Sequence, residues 1–182
     1  TLNIDPEKIE MHINERTCAI MPVHVFGNPC RMSEIQDIAI KNNLKVVYDA
    51  AHAFGVECCN KKIACYGDAS VFSFHATKVF NTIEGGAACF QKRENNDRAK
   101  ILRNFGIANE EEITCCGLNG KLNEIQCAVG LLLIDRMERE IQGRKEAVEM
   151  YRKLLVNIEG LSFMEDLPSV KHNYPYFVIR IN

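Results

Sequence analysis

Asp49 and Lys78 are the two residues whose chemistry and setting stand out. Asp49 closes the apolar run Val46-Val47-Tyr48, and Lys78 closes Ser73-Phe74-His75-Ala76-Thr77-Lys78, which continues a second apolar run from Ala69. A carboxylate set against a heteroaromatic nitrogen keeps that nitrogen protonated. An amine desolvated in a loop has a lowered pKa and becomes a usable nucleophile towards an aldehyde. An acid and a lysine delivered at strand ends are therefore what pyridoxal phosphate chemistry needs, one for the ring nitrogen and one for the aldehyde. Each residue alone has a plainer reading. Asp49 could cap a helix or bind a metal, Lys78 could be a surface lysine, and His52, three residues beyond Asp49, could be a packing residue. Ser73 could give its hydroxyl to a phosphate or simply end a strand in a turn.

The elements that must position these groups are legible in outline. Cys18 to Phe26 is a β-leaning run ended by Gly27-Asn28-Pro29, although Pro22 within it cannot donate to a ladder. Ser33-Glu34-Ile35-Gln36 fits a capping box, and Ile35, Ile38 and Ala39 continue at helical spacing to Asn42-Asn43. Leu44 to Tyr48 then reads as a buried strand, giving a βαβ unit with the right-handed crossover such units adopt. Ala69 to Phe74 and Gly85 to Phe90 read as two more strands. Helices are expected over 96–103 and 123–137, followed by a long charged helix towards Val156 and a last strand from Pro175. In an open α/β sheet ligands bind beyond the carboxyl ends of the strands, which is where Asp49 falls.

Composition narrows the classes. A net charge of −2 gives no electrostatic case for nucleic acid or a membrane surface, and no apolar run approaches the roughly 20 residues that span a bilayer. The nine cysteines contain no Cys-x-x-Cys pair, and Cys58-Cys59 and Cys115-Cys116 are directly adjacent, which suits zinc poorly. They read as free thiols in a reducing compartment, with no metal site, and the expected address is the cytoplasm. The chain lacks an initiator Met and stops within an expected strand, so it reads as a fragment of a longer protein.

Five blocks occur in a fixed order: Pro22-Val23-His24-Val25-Phe26-Gly27, Tyr48-Asp49-Ala50-Ala51-His52-Ala53-Phe54-Gly55, Phe72-Ser73-Phe74-His75-Ala76-Thr77-Lys78, Glu84-Gly85-Gly86-Ala87, and Gly117-Leu118-Asn119-Gly120-Lys121-Leu122-Asn123-Glu124-Ile125-Gln126. Taken together they resemble the DegT/DnrJ/EryC1/StrS aminotransferases, pyridoxal-phosphate-dependent enzymes that act on nucleotide sugars. The resemblance implies an α/β chain of fold type I, the aspartate aminotransferase fold, with a mainly parallel sheet. Residues 1–137 would be part of the cofactor-binding large domain, and 138–182 a connector helix and the start of a small C-terminal domain. It implies that Lys78 is the Schiff-base lysine, that Asp49 faces the pyridine nitrogen, and that His52 packs at the ring and its phenolic oxygen. Ser73 would bind phosphate. Asn119 would reach the neighbouring subunit's cofactor, so that a homodimer shares its active sites. Lys121 stands where the family commonly has Arg.

The implied reaction moves an amino group from a donor such as L-glutamate to a keto-sugar carried on a nucleotide, in amino-sugar or polysaccharide biosynthesis. Ser-Phe-His-x-Thr-Lys with Glu-Gly-Gly resembles the branch acting on 4-keto-6-deoxy sugars, whereas the 3-keto branch more often reads Ser-Phe-Tyr-Pro-x-Lys. A dTDP-4-keto-6-deoxyglucose 4-aminotransferase is the expectation that follows. Two alternatives stand beside it. One is a sugar dehydratase of the same family, in which His replaces the lysine. The other is a non-catalytic regulator that binds pyridoxal phosphate or a nucleotide sugar.

Overall fold

The computed structural model describes residues 2–182. The chain runs β1 (Ala19–Ile20), α1 (Met32–Lys41), β2 (Lys45–Asp49), β3 (Glu57–Cys58), β4 (Lys61–Lys62), β5 (Ala69–Ser73), β6 (Gly86–Phe90) and α2 (Arg93–Leu102). It continues with β7 (Ile107–Asn109), β8 (Glu112–Ile113), α3 (Glu124–Ile134), α4 (Met137–Leu155), β9 (Leu161–Phe163), β10 (Val170–Lys171) and β11 (Ile179–Ile181). The principal sheet has four strands in the order β1-β2-β5-β6. β1, β2 and β5 are parallel, and β6 returns antiparallel to β5 at the edge. The α/β class with a mainly parallel sheet holds.

Alternation explains β2. Val46 and Tyr48 point to one face and are fully buried, while Lys45 is exposed. α1 covers them with Met32, Ile35 and Ala39, three residues of one helical stripe that are all buried. Its expected capping box does not form. The helix starts earlier, because buried Met32 is already in its first turn; Arg31 occupies the N-cap without a side-chain cap bond and Ser33 lies inside the helix. Arg31 instead pairs with Asp5 at 2.7 Å and Glu34 at 3.2 Å.

The run from Cys18 to Phe26 is not one strand. Pro22 interrupts it, although the Pro22 carbonyl accepts from Asp49 N at 2.9 Å and Val23 makes a parallel bridge to Asp49. The chain then turns through Val25–Gly27, with Phe26 left-handed at φ 54°. α2 begins at Arg93 rather than Asn96, and it carries no buried residue, so no apolar period marks its start. The last strand is shorter than expected: only Ile179–Ile181 pairs, antiparallel to β9. β10, by contrast, crosses to β3, with Val170 opposite Cys58 and Lys171 opposite Glu57.

All nine cysteines are free thiols. Among the described residues no group of three or more His, Cys, Asp or Glu side chains is placed to hold a metal ion, and no helix is long and apolar enough to cross a membrane.

Candidate active site

β2 and β5 end side by side, with Asp49 opposite Val71 and Ser73 one pleat further on. The Asp49 backbone is held on its other side, its N–H on Pro22 O and its carbonyl receiving His24 N, both at 2.9 Å. Asp49 Oδ1 accepts from Ala51 N at 3.0 Å, which orients the carboxylate and leaves Oδ2 available to a donor.

The turn after Asp49, closed by Ala53 N on Ala50 O at 2.8 Å, carries His52. Its Nδ1 accepts from Phe26 N at 3.2 Å, so the proton of the neutral ring sits on Nε2. The ring stacks on Phe26 at 6.0 Å and meets the edge of Tyr176 at 5.1 Å. Burial lowers the His52 pKa, the Lys78 cation lowers it further, and Asp49 opposes both. Asp49, His52 and Lys78 thus share one electrostatic neighbourhood.

Lys78 is half-buried on a loop pinned at both ends, by Phe74 N on Gly85 O at 2.8 Å and Thr82 N on Phe74 O at 2.9 Å. Phe74 and Phe80 flank the lysine in sequence and pack on each other at 4.8 Å. Both also pack on Phe54, at 5.1 and 4.8 Å, so the lysine loop and the His52 turn rest on one aromatic cluster. The glycines close this loop tightly. A Cβ on Gly86 would stand 2.7 Å from Phe72 O, and one on Gly85 would run into Thr82 Oγ1 and Leu122. Gly130 of α3 meets the same loop, with Thr82 Cγ2 only 3.0 Å from where its Cβ would be.

Ser73 is half-buried, and its Oγ accepts weakly from His75 N at 3.4 Å, leaving the hydroxyl proton free to donate. Asn119 stands apart. It is exposed, bridges Asn104 and accepts from Lys121 N at 3.4 Å, with no contact among the described residues to Asp49, His52, Ser73 or Lys78. Lys121 turns to Asn104 at 3.0 Å and lies over the Phe105 ring at 4.2 Å.

Sequence reasoning gave no role to several residues around this centre. His24 is fully buried beneath Asp49, stacked on Tyr48 at 4.6 Å, with Nδ1 accepting from Cys30 N at 3.1 Å. Burial pushes its pKa down to about 4 against the pull of Asp49, so it is neutral. The only local signal was its place in the Pro22 to Gly27 block. Asn173 and Tyr176 approach His52 from the far end of the chain, and no local signal could have found them.

An acid with a free lone pair, a half-buried amine, a neutral imidazole and a donor hydroxyl fit a ligand that carries a basic ring nitrogen, an aldehyde and a phosphate. The close approach demanded at Gly85 and Gly86 holds the end of the Lys78 loop tightly against Phe72 of β5 and Thr82. The residues present therefore suit pyridoxal phosphate.

Comparison with known proteins points to one family. A model of the DegT/DnrJ/EryC1/StrS aminotransferase family matches residues 1–182. The dTDP-4-amino-4,6-dideoxy-D-glucose transaminase of Shigella dysenteriae is 48% identical over 174 residues, which is 96% of this chain and 47% of the relative. The Escherichia coli transaminase of the same name is 40% identical over 99% of this chain and 49% of its own length. Among solved structures, DesI with its TDP-sugar product superposes with a TM-score of 0.92 at 31% identity, over 99% of this chain and 46% of DesI. Helicobacter pylori PseC, an aminotransferase involved in pseudoaminic acid biosynthesis, gives 0.94 at 33% identity, over 99% and 50%. The chain spans about half the length of the curated relatives it matches.

Proposed function

The chain belongs to the DegT/DnrJ/EryC1/StrS aminotransferase family, and from that premise we propose that it supplies the cofactor-bearing portion of a pyridoxal-phosphate-dependent nucleotide-sugar aminotransferase. The observation that carries the reading is the placing of Asp49 and Ser73 at the adjoining ends of β2 and β5, with His52 beside them feeling the charges of both Lys78 and Asp49. When bound, pyridoxal phosphate offers an aldehyde that takes an amine and a ring that accepts the electron pair left when a proton leaves carbon. Asp49 would hold a proton on the ring nitrogen through its free Oδ2. Lys78 Nζ would take the aldehyde and, once displaced by the amino donor, act as the base that removes the donor's Cα proton and redelivers it. His52 would offer Nε2–H as its donor, since Nδ1 is committed to Phe26. Ser73 would donate its hydroxyl to the phosphate.

In balance, the donor leaves as an oxo acid and its nitrogen arrives on the keto-sugar. The similarity to the two dTDP-sugar transaminases, and the Ser-Phe-His-x-Thr-Lys loop, favour dTDP-4-keto-6-deoxyglucose as acceptor; L-glutamate would be the donor. We place residues 1–137 in the large domain and 138–182 in the connector helix and the start of the small domain. The working form would be a cytoplasmic homodimer in which Asn119 serves the partner's site. Lys78 speaks against the dehydratase reading.

The test uses the whole protein with glutamate and dTDP-4-keto-6-deoxyglucose. Formation of 2-oxoglutarate is expected, with a visible absorption band that Lys78→Ala abolishes. Covalent trapping of the cofactor by borohydride at the same place in Lys78→Ala would overturn the assignment, and bound cofactor without any 2-oxoglutarate would favour a binding regulator.

A further inference from the structure

Two side chains of the chain's far end, Asn173 and Tyr176, reach His52, and neither is in a strand of the principal sheet. Asn173 is 1% exposed and donates both amide hydrogens, to His52 O and to Phe54 O, each at 2.9 Å, across more than a hundred residues of sequence. One side chain thereby fixes the backbone on both sides of the turn that carries His52. Its Oδ1 lies only 2.7 Å from where a Cβ on Gly27 would sit, and Gly27 is left-handed at φ 78°, so a side chain there would strike the asparagine. Tyr176 sets its ring edge against His52 at 5.1 Å and against Phe26 at 5.6 Å.

His172 supports the grip indirectly. Its Nδ1 accepts from Tyr174 N at 2.8 Å, and the nearby Phe26 backbone favours its protonated form against the burial that lowers its pKa. Phe26 is the residue whose N–H selects the His52 tautomer, and its φ of 54° is one that non-glycine residues adopt only when their surroundings hold them there. β10 immediately precedes this segment and stitches it to β3.

We propose that residues 172–176, with Asn173 at the centre, are a positioning clamp that holds His52 at one place, in one tautomer, against Asp49 and Lys78. Asn173 touches no reacting group; it acts through His52. A side chain held by such outer partners keeps the geometry its chemistry needs, and a slack of about 1 Å costs rate. The catalytic part of this inference rests on the aminotransferase reading; the structural part does not.

The test reads the imidazole directly. Nitrogen-15 spectra of the whole protein, stripped of cofactor, are recorded for wild type and Asn173→Ala, with His52→Gln assigning the His52 signals. Wild type is expected to hold the proton on Nε2 and to titrate below an ordinary histidine, with Lys78 and Asp49 as the charged groups facing the ring. Asn173→Ala should mix the two tautomers and move the midpoint up. In the loaded enzyme it should lower kcat about tenfold or more, with a smaller change in KM for the amino donor. Tyr176→Ala, at a ring already 41% exposed, removes burial without removing a core residue and should shift the midpoint the same way even if Asn173→Ala does not fold. An unchanged His52 tautomer and midpoint in either folded variant would overturn the clamp. A wild-type protein that fails to take pyridoxal phosphate, with the tautomer shift intact, would overturn the aminotransferase reading and leave the clamp standing.

Discussion

Two histidines bracket Asp49, and their environments give them different work. His52 lies half in the site, whereas His24 is sealed under the strand end with its ring on Tyr48. Because the folded pKa of His24 is about 4 and its ordinary value is 6.5, the unfolded chain takes up the proton first as pH falls. The stability held by the neutral ring is therefore complete above about pH 7, drains away between about 6.5 and 4, and levels off below. The loss should be about 2 kcal/mol at about pH 5, read by urea unfolding at that pH and at neutrality. His24→Phe will be less stable throughout, since Cys30 N loses its acceptor, but its stability should fall less with acid than wild type's; equal falls would sink the idea. At this scale the sequence revealed groups whose chemistry is set locally. Asp49 and Ser73 each close an apolar strand, and Lys78 lies five residues beyond Ser73 on the loop that leaves it. The sequence could not reveal Asn173, because what matters about that asparagine is a pair of carbonyls on the opposite side of the fold, and Asn is otherwise an ordinary loop residue.

The elements were legible where one face is buried and the period is clean. β2 and α1 were found because Val46, Tyr48, Ile35 and Ala39 leave their marks at spacings of two and four. α2 lost its first turn in the reading because nothing on it is buried, and β3 and β10 were missed because a two-residue pairing has no period at all. Caps were the least reliable signal, since a Ser-x-x-Gln pattern one residue inside a helix looks the same as one at its start. The box expected at α1 and the one the structure shows at α3 make opposite predictions. Asn123 Oδ1 accepts from Gln126 N, and Gln126 Oε1 accepts from Asn123 N, both at 2.9 Å, so the α3 box is real. Asn123→Ala should cost about 1 kcal/mol in denaturant unfolding. Ser33→Ala, in the box that does not form, should cost nothing and could gain up to about 0.5 kcal/mol, alanine being the better helix former. A cost of about 1 kcal/mol at Ser33 would mean that its hydroxyl caps α1 after all.

At the scale of the whole molecule, what is unfinished on this chain points outward. α3 exposes Ile125, Leu131 and Leu132 at 70%, 73% and 67%, an apolar surface of the kind that interfaces cover. Asn119 lies just ahead of it, exposed and out of contact with Asp49, His52 and Lys78. If Asn119 serves a neighbour's site, as proposed, each site of a twofold dimer is built from the lysine of one subunit and the asparagine of the other. A hybrid of a Lys78→Ala subunit and an Asn119→Ala subunit then has one site carrying both lesions and one carrying none. Equal mixing of the two full-length variants, with unfolding and reassembly, makes about half the dimers hybrid, and half the sites in those are intact. The mixture should recover roughly a quarter of wild-type activity, above the sum of the separate variants. Differently tagged subunits would verify that hybrids formed. Verified hybrids with no activity beyond that sum would place Asn119 in its own chain's site, or in none, and would remove the shared site from the proposal.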